Sequence, residues 1–127
     1  MLEALPSNET LLDMEPLELL NLLHEEVKFK KLGSIENEED YAVANEVLNQ
    51  SAAYICYFRQ METAARIMKR ESRRKKKGTE ENEKYLGVEE VFETFKKIAE
   101  TQFELVSKLF TSKRLFLDEA RQFGKTT

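Results

Sequence analysis

Four acidic side chains lie close together in the sequence, and their oxygen atoms are the type of ligand that hard divalent cations prefer. We call Glu36, Glu38, Glu39 and Asp40 the acidic patch. The same residues follow Asn37, where we expect a helix to begin, and carboxylates near a helix N-terminus interact favourably with the helix dipole. We predict that the patch is mainly a helix start. An acidic contact with a partner and a metal site remain as alternatives.

The residues that would serve nucleophilic or metal chemistry are few. The chain has one histidine, His24, and one cysteine, Cys56, which we expect to be a small buried residue. Neither has a second ligand at a metal-binding spacing, and nothing in the sequence brings the two together for catalysis. Gly124-Lys125-Thr126 matches the end of a phosphate-binding loop, but Glu119 stands where its upstream glycine should be. We predict that the protein is not an enzyme and uses no cofactor.

The strongest signal is a run of cations in an acidic chain of net charge −4. Residues 66–77 hold eight basic side chains in twelve positions. We call them the basic run: Arg66, Lys69, Arg70, Arg73, Arg74, Lys75, Lys76 and Lys77. On a helix they form a cationic ridge of about 17 Å, which could bind phosphates without reading a base sequence.

Two other interpretations of the basic run remain open. Six glutamates follow it and would face it in an antiparallel hairpin: Glu80, Glu81, Glu83, Glu89, Glu90 and Glu93. Arg74 would then lie near Glu83, and Arg66 near Glu90 or Glu93, so that pairing would cancel part of the positive field. Alternatively, the run is a nuclear localisation signal. The run is therefore a partly paired hairpin tip, a contact for a polyanion or an acidic protein, or a targeting signal.

The distribution of proline and glycine indicates an all-α protein. The only prolines are Pro6 and Pro16, so the last 111 residues contain nothing that must interrupt a helix. β-Proteins need turn residues much more often than this chain supplies them. The length of 127 residues favours a single domain over residues 1–127.

Periodic apolar residues predict three helices, at residues 14–32, 38–76 and 80–122, with a hairpin tip near 77–79. Leu32-Gly33 is the predicted end of the first helix, and the third helix has two alternative starts, residue 80 or, if Gly87 interrupts it, Val88. The predicted fold is a helical bundle built on a long antiparallel helix hairpin, with the shorter N-terminal helix packed on it.

Apolar positions on the third helix form two adjacent stripes. One contains Val88, Val91, Phe95, Ile98, Leu105, Leu109, Phe116 and Phe123. The other contains Phe92, Ala99, Phe103, Val106, Phe110 and Leu117. Three helices leave part of such a surface uncovered, which predicts a homodimer.

Charge and composition also bear on location and partners. Residues 1–65 contain 4 basic and 13 acidic side chains, whereas residues 66–127 contain 16 and 11, an asymmetry that favours a charged partner. The single cysteine fits a reducing compartment, and the sequence shows neither a signal peptide nor an apolar run of the roughly 20 residues that span a bilayer. We predict a cytoplasmic protein that does not enter membranes.

In its overall texture, short, highly charged and helical, the chain resembles small accessory proteins of bacteriophages and mobile elements. The resemblance implies a non-enzymatic protein that binds and modulates another macromolecule, for example a host protein or a defence system. Two alternatives come from the residues themselves. One is a nucleic-acid-binding protein of weak sequence specificity that acts through residues 66–77, and the other is a metal-dependent enzyme that uses residues 36–40.

Overall fold

The computed structural model describes residues 4–29, 34–75 and 79–126, with side chains in 4–29, 34–75 and 80–111. In these ranges the chain forms four α-helices and no strand. They are α1 (Asn8–Asp13), α2 (Pro16–Glu26), α3 (Glu38–Arg74) and α4 (Thr79–Thr126). The prediction of an all-α helical hairpin with a shorter N-terminal helical part is confirmed.

The hairpin consists of α3 and α4, which contain 37 and 48 residues and pack against each other over much of their length. The predicted start of α3 is confirmed, because the Asn37 side chain accepts a hydrogen bond from the Asp40 amide at 2.8 Å. Asp40 in turn accepts from the Glu36 amide at 2.9 Å. Lys75 forms the turn after α3, and residues 76–78, at the predicted tip, lie outside the described ranges.

The predicted first helix, 14–32, is too long. The Ser7 side chain caps a separate short helix, α1, and α2 begins at Pro16, where a missing amide donor costs nothing. Helix α2 ends at Glu26 because Val27 adopts an extended backbone, which lets Val27 enter the core and Phe29 contact Tyr54 at 5.3 Å between ring centroids. Tertiary packing thus overrides the helical pattern. The predicted stop at Leu32-Gly33 lies outside the described residues.

Of the two alternative starts of the third helix, the structure has the earlier one, because α4 runs from Thr79 through Gly87 without interruption. Gly87 has a different role. A Cβ atom at Gly87 would lie 2.5 Å from Cγ and 3.0 Å from Cβ of Pro16. The glycine therefore allows the first turn of α2 to approach the backbone of α4.

The main core lies where α1 and α2 pack on the hairpin. Its centre is Phe58. The centroid of the Phe58 ring lies 5.6 Å from that of Tyr54, 5.8 Å from that of Phe95 and 6.4 Å from that of Phe92. Other buried members include Leu11, Leu19, Leu23, Met61, Val88 and Ala99. A smaller cluster around Ile35, Ala44, Val47 and Val106 joins the two long helices further from the tip. These two clusters fix which faces of α3 and α4 remain at the surface.

Candidate functional site

The first two cations of the basic run belong to a chain of ionic contacts between α3 and α4. Lys96 Nζ donates to one carboxylate oxygen of Glu62, and Arg66 donates to the other at 3.3 Å. Arg66 Nε also donates to Glu89 at 3.1 Å, and Lys69 Nζ donates to the second oxygen of Glu89 at 2.9 Å. We call these five residues the charge ladder. Its members alternate in sign from Lys96 through Glu62, Arg66 and Glu89 to Lys69.

The charge ladder is partly removed from water. Glu62 is buried, and the side chains of Lys69, Glu89 and Lys96 are mostly covered. Burial alone would raise the pKa of Glu89, but the hydrogen bonds and positive charges of Lys69 and Arg66 outweigh burial and lower that pKa below its usual value. Because Glu62 and Glu89 compensate the positive charges of Arg66 and Lys69, these two residues contribute little to the binding of a partner.

The next four cations of the basic run differ from the first two. Arg70, Arg73, Arg74 and Lys75 are exposed and form no ion pair with any side chain that the structure describes. We call these four residues the basic patch. Lys76 and Lys77 lie outside the described residues. Two of the eight cations are thus committed to the charge ladder, and four remain at the surface.

The carboxylate of α4 that pairs with the basic run differs from the expected ones by a small shift in sequence. Arg66 binds Glu89 and Glu62 instead of Glu90 or Glu93. The expected pair of Arg74 with Glu83 is not among the ion pairs of the described side chains. A helix turns by about 100° per residue, so an error of one residue moves a side chain to a different face.

Carboxylates lie near the basic patch. Glu71 lines a depression together with Arg74 and Lys75. On the adjacent start of α4, a wider depression of about 610 Å³ is lined mainly by acidic residues, namely Glu15, Glu80, Glu81 and Glu83. Lys84, which also lines it, is paired with Asp13 at 3.0 Å. The hairpin end therefore presents both signs of charge on neighbouring surfaces.

The acidic patch belongs to the N-terminus of α3. Asp40 accepts from the Glu36 amide, and Glu36 accepts from the Ser34 hydroxyl at 3.4 Å, while Glu38 and Glu39 are exposed in the first helical turn. Among the side chains that the structure describes, in residues 4–29, 34–75 and 80–111, no three His, Cys, Asp or Glu are grouped closely enough to hold a metal ion. The metal-site alternative thus gains no support from the geometry.

The two candidate nucleophilic residues are both at the surface. His24 is exposed on α2, and Cys56 is exposed on α3. The prediction that Cys56 is buried is wrong, because Cys56 lies between buried Tyr54 and Phe58, two residues from each. A displacement of two residues along a helix corresponds to about 200° and places Cys56 on the outer face.

Sequence reasoning missed an apolar groove beside α2. It has a volume of about 450 Å³ and is lined by Pro16, Leu17, Leu20, Gly87, Glu90, Val91 and Thr94. Leu17, on one wall, is 68 % exposed. We call this feature the α2–α4 groove. The available signal was the breadth of the leucine-rich face of α2, which has more apolar positions than one packing contact can bury.

Compared with protein-family models, curated proteins and solved structures, the chain shows no significant match. None of the helices, over the residues that the structure describes, has the length and apolar character needed to cross a membrane.

Proposed function

We propose that this protein is a non-enzymatic interaction protein that binds an acidic surface of another protein through the basic patch and thereby modulates that protein. The observation that carries the proposal is the set of four exposed cations, Arg70, Arg73, Arg74 and Lys75, which have no ionic partner among the described side chains. The resemblance to accessory proteins of bacteriophages agrees with this function and stays a prediction.

The charge ladder supports the proposal because it holds the last turns of α3 against α4. Lys69 and Arg66 are bound to Glu89 immediately before the basic patch begins. The patch is thus displayed from an anchored helix, which reduces the conformational entropy lost when a partner binds. Three of its four cations are arginines, whose planar guanidinium groups can bind a carboxylate through two parallel hydrogen bonds.

The neighbouring carboxylates favour a protein partner over a nucleic acid. Glu71 lies within the patch, and Glu80 and Glu83 lie on the adjacent start of α4. A phosphate backbone is uniformly anionic and would be repelled by these groups, whereas a protein surface can place cations opposite them. Nucleic-acid binding remains the second candidate, and its support is the length of the basic run, residues 66–77.

The test compares two fluorescent probes, poly-L-glutamate and a duplex DNA of 30 base pairs, by anisotropy at 50 and 200 mM salt. We expect the protein to bind poly-L-glutamate, with an affinity that falls as salt increases. The variant Arg73→Glu/Arg74→Glu should bind poly-L-glutamate at least roughly tenfold more weakly than the parent, which corresponds to a loss of about 1.4 kcal/mol in binding free energy. The control, Lys28→Glu/Arg59→Glu, makes the same change in net charge at two exposed positions outside the patch and should bind within about twofold of the parent.

The outcomes of this test distinguish a protein partner from a nucleic acid. Equal losses in the variant and the control, or no binding of either probe, would overturn the proposed site. Tighter binding of duplex DNA than of poly-L-glutamate, lost in the same variant and retained in the control, would replace the protein partner with a nucleic acid.

A further inference from the structure

The α2–α4 groove continues as an apolar seam along α4. Residues at successive spacings of four and three share this side of the helix, and we call them the α4 seam: Gly87, Val91, Thr94, Ile98, Thr101 and Leu105. This alternation of four and three is the spacing with which one helix packs against another in a coiled coil. The first three members line the groove beside α2.

The second half of the α4 seam has no cover among the described residues. Helix α2 lines the groove together with three members of the seam, Gly87, Val91 and Thr94. Further along, Ile98 is 44 % exposed and Leu105 is 53 % exposed. The seam therefore has a groove at one end and projecting apolar side chains at the other.

We propose that a second copy of this chain packs antiparallel on the α4 seam, so that Leu105 of each copy enters the α2–α4 groove of the other. Such a contact is self-complementary, as a two-fold dimer requires, because each copy supplies one groove and one projecting side chain. Placing Leu105 opposite the stretch from Gly87 to Val91 puts the two-fold axis at residues 96–98. Ile98 of the two copies then meets at the centre.

The charges along α4 favour the antiparallel arrangement of two copies. Apart from Glu89 and Lys96, which belong to the charge ladder, residues 79–93 contain five acidic and one basic side chain, whereas residues 94–114 contain four basic and two acidic ones. An antiparallel dimer places the acidic part of each copy beside the basic part of the other. Exposed Glu90 and Lys108 then fall in the same stretch of the interface. A parallel arrangement would place like charges together, which is unfavourable.

This inference concerns α2 and α4 and is independent of the basic patch on α3. The first test is the molar mass of the full chain, measured by light scattering after gel filtration at several concentrations. We expect a mass twice the 14.9 kDa of one chain. Ile98→Glu/Leu105→Glu should shift the protein to a monomer with unchanged helix content, because both side chains are exposed. Leu86→Glu is the control, since Leu86 is 42 % exposed on another side of α4 and should leave the dimer intact.

A second test examines the position of the axis. In a Cys56→Ser background, which removes the exposed native thiol, a short bis-maleimide reagent should cross-link Ile98→Cys into a covalent dimer. Leu86→Cys in the same background should remain monomeric on a denaturing gel. A monomeric parent protein, or a dimer that survives Ile98→Glu/Leu105→Glu, would overturn the proposal. A monomer that binds a helix of another protein on this face would do so as well.

Discussion

Replacing Gly87 with alanine should destabilise the protein, although the same change in an ordinary helix interior is stabilising. Glycine in a helix is about 1 kcal/mol less favourable than alanine, so intrinsic propensity alone predicts a gain of that size. At this position the added Cβ would lie 2.5 Å from Cγ of Pro16. The proline ring cannot rotate away, so α2 has to move away from α4.

The magnitude follows from two opposing terms. Forcing an extra methyl group into a packed contact typically costs about 1–3 kcal/mol. After subtraction of the gain of about 1 kcal/mol in helix propensity, we expect a net loss of ~1 kcal/mol in the free energy of unfolding. For a chain of this length, this loss corresponds to a decrease in Tm of about 3–5 °C.

The assay is urea unfolding followed by circular dichroism, with thermal unfolding as a second measurement. Protein concentration is held constant, because the proposed dimer would contribute to apparent stability. Asn45→Ala serves as the control, since Asn45 is exposed within α3 and makes none of the described side-chain hydrogen bonds. There the propensity term acts alone and should raise stability by about 0.5 kcal/mol.

A double-mutant cycle isolates the contact itself. Pro16→Ala removes Cγ, the atom nearest to the added methyl group, so Gly87→Ala should cost less in a Pro16→Ala background than in the parent. A coupling energy of about 1 kcal/mol is the expected result. If Gly87→Ala stabilises the parent by as much as propensity predicts, the reasoning about the close approach of α2 and α4 is refuted.

Three further predictions concern the charge ladder and the tyrosines Tyr54 and Tyr57. Lys96→Met should lower the free energy of unfolding in urea by about 1–3 kcal/mol, because buried Glu62 then keeps Arg66 as its one ionic partner among the described side chains. A change below about 0.5 kcal/mol, of the order of an exposed pair, would contradict a role in stability. The lowered pKa of Glu89 contributes stability that is present above its ordinary value of 4.5 and lost as the pH falls through the folded-state value; Glu89→Gln should therefore show a shallower loss of stability in acid unfolding curves, and an unchanged slope would argue against the shift. Burial raises the pKa values of Tyr54 and Tyr57 above 10.0, so the free energy of unfolding should fall as the pH rises above 10.0. Tyr57→Phe should weaken this dependence on alkaline pH. Equal curves of stability against pH for the parent and the variant would contradict a raised pKa of Tyr57.

The helical hairpin could be predicted because its signals are local. Only two prolines occur, both in the first sixteen residues, and Asn37 is a side chain that caps helices well. The end of α2 could not be predicted in the same way. The pattern continues helically past Glu26, but the chain leaves the helix so that Val27 and Phe29 can pack on the hairpin. Competition of this kind depends on surfaces that are distant in sequence.

The candidate site was predictable in outline and not in detail. The sequence indicates that the basic run faces a glutamate-rich helix start, and Arg66 and Lys69 do bind Glu89 there. Which four cations remain at the surface depends on the register of α3 and α4, which is fixed by the packing of Phe58 against Phe92 and Phe95. The α2–α4 groove depends on the length of α2. Neither quantity can be obtained from periodicity alone.

The charge ladder also determines which alignment of the two long helices is compatible with their charges. If α4 slid by four residues, about one helical turn, Glu62 would face Glu100 or Phe92 in place of Lys96. A slide of three residues would put Glu62 opposite Glu93 or Ala99. Each alternative leaves the buried carboxylate beside a like charge or an apolar group, which is costly. The alternating charges therefore favour the same alignment of the two long helices as the packing of Phe58 against Phe92 and Phe95.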